Sequence, residues 1–167
     1  MDYILAIITQ DQKGEKNKVD IIQEEFKFRC KKCADLCCKL GGPELTKNDL
    51  EKIKNAGHNS KDFFDPKKHI NNNLRKTIGS LKTKQDGSCI FLQCNIEIKL
   101  IKCRIYDFRP TLCRIYPFRI ENFGSNRIVF KYIPCCKGLN NPKGKNLDRN
   151  FILEKVEEAR KIFRIKR

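Results

Sequence analysis

The residues with the clearest chemistry in this chain of 167 residues are its ten cysteines. Four of them lie close together as Cys30-x2-Cys33-x3-Cys37-Cys38. A CxxC turn can direct two sulfurs at one tetrahedral centre, and nearby cysteines can supply further ligands. The spacing therefore indicates a metal site with thiolate ligands.

The adjacent pair Cys37-Cys38 limits how such a site can be built. On a helix, Cys30, Cys33 and Cys37 would share one face, and Cys38 would point about 100° away. In an extended backbone the two neighbours would diverge even more. Two adjacent cysteines are thus a poor chelate for one ion, and the pair hints at two sites or one bridged cluster.

A second group of cysteines follows downstream, and it comprises Cys89, Cys94, Cys103, Cys113, Cys135 and Cys136. Neither His58 nor His69 is near a cysteine in the sequence, which favours ligation by sulfur alone. Soft thiolates select zinc or an iron–sulfur cluster over magnesium or calcium. The spacing does not choose between zinc and iron.

The compartment expected from the sequence is the cytoplasm. The apolar run Ile4–Ile8 is too short for a secretion signal and follows Asp2, and no apolar run reaches the length of a membrane span. Thiols in a reducing compartment are typical of metal-binding or catalytic sites rather than disulfides. We therefore interpret the cysteines as metal ligands.

The formal net charge of +16 favours an anionic partner, such as an acidic protein, nucleic acid or anionic lipid. Basic residues concentrate at 137–145 and 160–167, and a solvated basic face is the simpler interpretation. After Cys103, aromatic residues alternate with arginines, and such aromatic residues could stack on nucleic-acid bases. We favour core packing for these aromatic residues, which are Tyr106, Phe108, Tyr116 and Phe118.

Local signals predict three helices. Thr46 and Asp49 form a capping motif for a helix within 44–57 that ends at Gly57. Asp65-Pro66 could start a second helix that continues toward Ile78. The third helix covers about 148–164, with a stripe formed by Ile152, Val156, Ala159 and Phe163.

Strand signals complete the α+β fold class. Residues 1–9 suggest an edge strand, 127–133 suggest another strand, and 89–92 with 96–101 suggest a hairpin that turns near Cys94-Asn95. We expect a small single domain over 1–167, in which a short antiparallel sheet or hairpin and several helices surround the cysteine-ligated metal.

Charged residues surround Cys103 and Cys113. Arg109-Pro110 is typical of a helix start, so Cys113 would lie one turn into a helix whose dipole lowers the pKa of its thiol. Four arginines could balance thiolate charge or bind an anion, or one of them could pair with Asp107. These arginines are Arg104, Arg109, Arg114 and Arg119.

Several motifs together resemble the YkgJ-like cysteine-cluster family, whose members are described as zinc- or iron-chelating. The motifs are Phe28-x-Cys30-x2-Cys33-x3-Cys37-Cys38, Cys89-Ile90-Phe91-Leu92, Cys103-Arg104-Ile105-Tyr106-Asp107-Phe108-Arg109-Pro110-Thr111-Leu112-Cys113-Arg114, Tyr116-Pro117-Phe118 and Cys136-Lys137-Gly138. The resemblance covers about 28–138 and implies a metal-binding core there.

The resemblance also implies a set of eight ligands: Cys30, Cys33, Cys37, Cys38, Cys89, Cys103, Cys113 and Cys136. Cys94 and Cys135 depart from the pattern, and we expect them to be small buried apolar residues, although either could replace a neighbouring ligand.

The function that these observations favour is a redox or structural metal module that holds a [4Fe–4S] cluster or zinc. One alternative is a metal-dependent protein-modifying enzyme, because a similar cysteine cluster occurs in the flagellin lysine N-methylase. No paired carboxylates, triad or metal-site histidine support an enzyme. A basic nucleic-acid-binding protein is the third possibility.

Overall fold

The computed structural model describes residues 3–11, 17–66, 75–95, 97–98, 100–122 and 126–163. Residue contacts divide the chain into two compact units: the first contains 1–31 and 115–167, and the second contains 32–114. The described residues form helices and short strands, and all the strand pairs are antiparallel. The fold class is therefore α+β, as predicted.

The first unit is built around a four-stranded sheet in the order β2-β1-β10-β9 and a two-stranded sheet of β3 and β11. Its elements are β1 (Ile4–Gln10), β2 (Asn17–Ile21), β3 (Lys27–Phe28), β9 (Phe118–Glu121), β10 (Arg127–Tyr132), β11 (Lys145–Asn146) and α5 (Arg149–Arg160). The strand predicted over 127–133 is confirmed as β10. The helix predicted over about 148–164 forms as α5 but ends at Arg160, so Phe163, which is predicted on its apolar stripe, lies beyond it. Because β1 has a partner on each side, the prediction that it is an edge strand is wrong.

The helix α5 begins directly after its N-cap residue, Asp148. The side chain of Asp148 accepts a hydrogen bond from the backbone N–H of Phe151, and Ile152, Val156 and Ala159 are buried along one stripe. Complete burial of an aliphatic side chain such as Ile152 stabilises the fold by roughly 1.5–3 kcal/mol. The Phe151 ring contacts the Phe118 ring at a centroid distance of 5.4 Å, which joins α5 to the sheet.

The second unit contains a three-stranded sheet in the order β4-β6-β5, a separate β7–β8 hairpin and short helices. Its elements are α1 (Leu36–Lys39), β4 (Glu44–Thr46), α2 (Lys47–Asn55), α3 (Ser60–Phe63), β5 (Phe64–Asp65), β6 (Thr77–Leu81), β7 (Leu92–Asn95), β8 (Leu100–Cys103), a 3-10 helix (Tyr106–Phe108) and α4 (Thr111–Ile115). The side chains of Leu45, Ile53, Phe63 and Leu81 are buried together in its core.

Three predictions in the second unit have different outcomes. The predicted capping motif of α2 is confirmed, because Thr46 and Asp49 form both hydrogen bonds of a capping box. The helix predicted from Asp65 toward Ile78 is wrong at both ends, because Asp65 lies in β5 and Ile78 lies in β6. The middle of this predicted helix, 67–74, lies outside the described residues and contains His69. The hairpin forms, but its strands are shifted to β7 and β8, so that Leu92 pairs with Cys103 and Asn95 with Leu100.

Within the described residues, no helix is both long and apolar enough to cross a membrane.

Candidate metal centre

Five cysteines of the second unit form one group, which we call the thiol group. They come from separate parts of the chain: Cys37 and Cys38 lie on α1, Cys89 lies before β7, Cys103 ends β8, and Cys113 lies in α4. The Cys38 thiol hydrogen-bonds the sulfurs of Cys37 and Cys103. Cys113 lies within electrostatic range of the thiols of Cys89, Cys103 and Cys37.

Backbone hydrogen bonds hold three of these cysteines in place. The N–H of Cys89 donates to the carbonyl of Cys38 at 2.7 Å, which fixes the end of α1 against the segment that leads into the hairpin. The pairing of Leu92 with Cys103 then returns the second strand toward Cys89. In addition, the Lys84 ammonium group donates to the carbonyl of Leu92. The group therefore depends on strand pairing rather than on the CxxC spacing alone.

The buried carboxylate of Asp49 positions the helix that carries Cys113. One oxygen, Oδ2, accepts hydrogen bonds from the backbone N–H of Thr46 at 3.2 Å and from its hydroxyl at 2.8 Å. The other oxygen, Oδ1, accepts from the N–H of Thr111 at 3.0 Å and from its hydroxyl at 2.8 Å. Asp49 thus caps α2 and anchors the start of α4, two residues before Cys113.

Two of the thiols are poised to lose their protons more readily than an ordinary cysteine. A hydrogen bond from Cys38 lowers the pKa of Cys37, and another lowers the pKa of Cys103 to about 7. The positive charge of Arg109 acts in the same direction on both. The pKa of Cys38 is raised, first by its hydrogen bonds to Cys103 and Cys37 and then by burial. Cys38 therefore keeps its proton, while Cys103 ionises near pH 7.

Arg109 fulfils the predicted role of a cation beside the thiolates. Its Nε donates to the carbonyl of Tyr106 at 2.9 Å, and its guanidinium carbon lies 3.8 Å from the centroid of the Tyr106 ring. Arg114 is directed elsewhere, because it donates to the Arg109 carbonyl at 2.7 Å and to the Thr111 hydroxyl at 3.0 Å. The ring and the carbonyl hold the guanidinium of Arg109 in place.

The remaining two thiols of the group are protonated. Burial raises the pKa of Cys89 and that of Cys113. The predicted short helix after Arg109-Pro110 does form, as α4, but the predicted lowering of the Cys113 pKa is wrong. Desolvation of the charged thiolate outweighs the dipole of a helix that has only five residues.

The thiol group fits an iron or zinc centre in its chemistry, because soft sulfur donors suit both metals. Its side chains are held by S–H···S hydrogen bonds, and no three Cys, His, Asp or Glu side chains in the described ranges are directed at one point that could hold a metal ion. Metal coordination by these thiols therefore requires their deprotonation and a different arrangement of the side chains.

Two other predicted ligands lie in the first unit. The N–H of Arg29 donates to the carbonyl of Gly138 at 3.0 Å, which brings the segments of Cys30 and Cys136 together. The N–H of Gly138 donates to Cys136 Sγ at 3.5 Å. A Cβ at Gly138 would lie 2.6 Å from the Arg29 carbonyl oxygen, so this close pairing requires glycine.

Cys33 belongs to the second unit, between two residues with left-handed backbone conformations. Lys32 has φ 55° and Ala34 has φ 47°. A residue other than glycine adopts this conformation at a conformational cost of about 1 kcal/mol or more. The surrounding contacts must therefore hold the loop in this conformation.

Both cysteines outside the resemblance are exposed. Cys94 lies on β7 opposite Ile101, and Cys135 lies in the turn that follows β10. The prediction that they are small buried apolar residues is therefore wrong. On β7 the buried position is Leu92, and the hairpin leaves residues 93–95 exposed.

The predicted ion pair of Asp107 does not form within the part of the chain that the structure describes. Asp107 is exposed, and Arg119 instead pairs with Glu121 at 3.5 Å. Phe118 packs in the core, as predicted for the aromatic residues, and stacks on Phe130 at 5.1 Å.

Sequence reasoning missed two features near the thiol group. The link from Asp49 to Thr111 spans 62 residues and has no local signal, although the capping box marks Asp49 itself. His58 lies between two aromatic rings, 5.1 Å from the Phe91 centroid and 5.8 Å from the Phe108 centroid.

Comparison with known proteins shows to which family the chain belongs. Residues 29–130 match the CxxCxxCC family, described as "Putative zinc- or iron-chelating domain". The chain belongs to this family. It is also 33% identical over 143 residues to "Uncharacterized protein MJ0661" of Methanocaldococcus jannaschii, an alignment that covers 83% of this chain and 72% of that protein. No solved structure matches.

The family match confirms the resemblance seen in the motifs and supports metal binding in general. The matched range begins at Arg29 and therefore includes every predicted ligand except Cys136.

Proposed function

We propose that this protein is a redox or structural metal module in which sulfur alone ligates an iron–sulfur cluster or zinc. The observation that carries the proposal is the hydrogen-bonded trio of Cys37, Cys38 and Cys103, to which Cys89 and Cys113 are electrostatically coupled. Two thiols of lowered pKa, beside protonated thiols and Arg109, form a site that a cation can occupy once the protons leave.

One tetrahedral zinc ion takes four ligands, so the five sulfurs of the thiol group are enough to hold one. A bound zinc would tie α1, the hairpin and α4 together and stabilise the unit. A bound iron–sulfur cluster would supply electron transfer, with a potential that responds to hydrogen bonds and charges near the sulfurs. Arg109 would set that charge environment.

The first test is the iron, zinc and acid-labile sulfide content of the full chain purified without oxygen, together with its absorption spectrum. The proposal expects either iron with sulfide and a broad visible absorption band, or zinc in a colourless sample. Absence of both metals from such a sample would refute it.

A pair of variants on one hairpin tests the thiol group itself. We expect Cys103→Ser to lose most of the metal, because Cys103 is one of the two thiols of lowered pKa. Cys94→Ser should keep the wild-type content, since Cys94 is exposed on the partner strand. Equal metal contents in the two variants would contradict the assignment.

Cys30 and Cys136 are proposed as ligands of a further centre in the first unit. We expect Cys136→Ser to lower the metal content in part, and Cys135→Ser, one position away and exposed, to leave it unchanged. An unchanged content would remove Cys136 from the ligand set.

A further inference from the structure

A small cavity in the second unit lies beside the thiol group. It encloses about 150 Å³ and is lined by His58, Asn59, Asp62, Phe63, Phe91 and Arg104. Phe63 and Phe91 are almost completely buried, so the cavity has an apolar floor. A closed apolar cavity of about this volume can hold benzene, so a short branched alkyl group fits by size.

The rim of the cavity carries both signs of charge. Arg104 and Asp62 are exposed at the opening, and His58 is half-buried beside them. No ion pair joins Asp62 to Arg104 or to another cation among the described residues. Each charge is thus available to a ligand, and a ligand that carries both signs would satisfy the two together.

The cavity is held rigidly by the same segments that hold the thiols. Phe91 follows Cys89 by two residues, and Arg104 follows Cys103 directly. The N–H of Arg104 donates to the carbonyl of Phe91 at 3.0 Å, and this bond fixes the floor and the cationic rim relative to each other. Preformed cavities with an apolar lining and a few fixed polar groups are typical of small-molecule sites.

We propose that this cavity binds a small zwitterion with an apolar body, of the size and chemistry of an aliphatic amino acid. The alkyl group packs on Phe63 and Phe91, the carboxylate accepts hydrogen bonds from Arg104, and the ammonium group pairs with Asp62. Arginine binds carboxylates with two parallel hydrogen bonds, which gives this end its selectivity. The site is separate from the thiol group, although residues of the same segments form both.

The test uses leucine and two fragments of it as probes of the full-length protein. One fragment, 4-methylpentanoate, lacks the ammonium group, and the other, 3-methylbutylamine, lacks the carboxylate. Binding is measured by titration in saturation-transfer NMR, which suits an affinity on the order of millimolar for so small a ligand. Leucine should bind more tightly than either fragment.

Charge-removing variants give opposite patterns for the two fragments. Arg104→Gln should weaken leucine and 4-methylpentanoate about tenfold and leave 3-methylbutylamine unchanged or tighter. Asp62→Asn should weaken leucine and 3-methylbutylamine and leave 4-methylpentanoate unchanged or tighter. Lys102→Gln removes an exposed charge from the same hairpin, and it should change each affinity less than about twofold.

Three outcomes would overturn the proposal: no binding of leucine, an affinity for one fragment equal to that for leucine, or equal effects of the Arg104 and Lys102 substitutions. Because all three probes are compared on folded protein of wild-type metal content, these outcomes are independent of whether the metal assignment is correct.

Discussion

Replacement of Asp49 by Asn tests whether a buried carboxylate holds the thiol group together. The change keeps the size of the side chain but replaces one acceptor oxygen by an NH₂ group. In the native protein each carboxylate oxygen accepts two hydrogen bonds, from Thr46 or from Thr111, at 2.8–3.2 Å. The amide must therefore face one pair of donors with a donor of its own.

The cost follows from that mismatch. One backbone N–H, of either Thr46 or Thr111, loses its acceptor, which costs about 1–3 kcal/mol. The other pair keeps its hydrogen bonds without the contribution of a charged acceptor, which costs about 1 kcal/mol more. We expect the free energy of unfolding to fall by about 3 kcal/mol and the metal content to fall as well, because Thr111 starts the helix of Cys113.

The assay is urea unfolding followed by circular dichroism without oxygen, on metal-saturated protein, with metal content measured in parallel. Glu51→Gln is the matched control: Glu51 lies on the same helix, where it pairs with Lys54 at 3.0 Å and is exposed. Such a surface pair contributes less than about 1 kcal/mol. If Asp49→Asn destabilised the protein no more than Glu51→Gln, the carboxylate would not be the anchor that its geometry indicates.

Two further predictions concern the metal-free thiols and the glycine of the first unit. In metal-free protein, alkylation of Cys103 should rise through pH 7, where an ordinary cysteine would still be a thiol, and Cys38→Ala should shift that rise to higher pH. The pKa of Cys103 is lower in the native protein than in the unfolded chain. Its thiolate should therefore stabilise the native protein above the unfolded pKa, and this contribution should be lost as the pH falls through 7. An alkylation rate that does not change with pH would contradict the lowered pKa of Cys103. Gly138→Ala should destabilise the first unit by about 1–3 kcal/mol in the same unfolding assay, because its Cβ would lie 2.6 Å from the Arg29 carbonyl oxygen; an unchanged midpoint would show that the pairing can relax.

The elements that the sequence predicts correctly are those whose signals are local. Thr46 with Asp49, and Asp148 with Phe151, place helix starts through hydrogen bonds between residues three apart. The helix predicted after Asp65 is wrong because strand pairing competes with local preference. Asp65 pairs with Ser80 across the sheet, a partner that the local sequence does not indicate.

The role of Gly79 shows the same limit. The helix predicted toward Ile78 would stop just before this glycine, whereas Gly79 lies inside β6, where a Cβ would come within 2.5 Å of the Phe64 ring. The glycine permits close approach of the neighbouring strand and its ring. Such a requirement depends on which side chain crosses the strand, and this follows from the register of the sheet.

The sequence predicts the cysteines of the candidate site, but it does not predict the pKa values of their thiols. Residue type and motif point to Cys37, Cys38, Cys89, Cys103 and Cys113, and the second unit brings these five together. The protonation states of the thiols depend on burial and hydrogen bonding, and the spacing of the cysteines in the sequence shows neither of these. For this reason the helix dipole predicted a thiolate at Cys113, where desolvation produces a thiol.

The pattern of protonation has a consequence for how tightly a cation is held. Cys103, with a pKa of about 7, and Cys37, whose pKa is lowered, lose their protons more readily than Cys38, Cys89 and Cys113, and all five must be deprotonated to ligate. Metal affinity should therefore increase steeply with pH, because each of these protons competes with the metal. Four thiolates around a divalent ion leave a charge of about −2, and Arg109 offsets part of it in a partly buried site. A charge at this position thus favours the loaded state more than the protonated one.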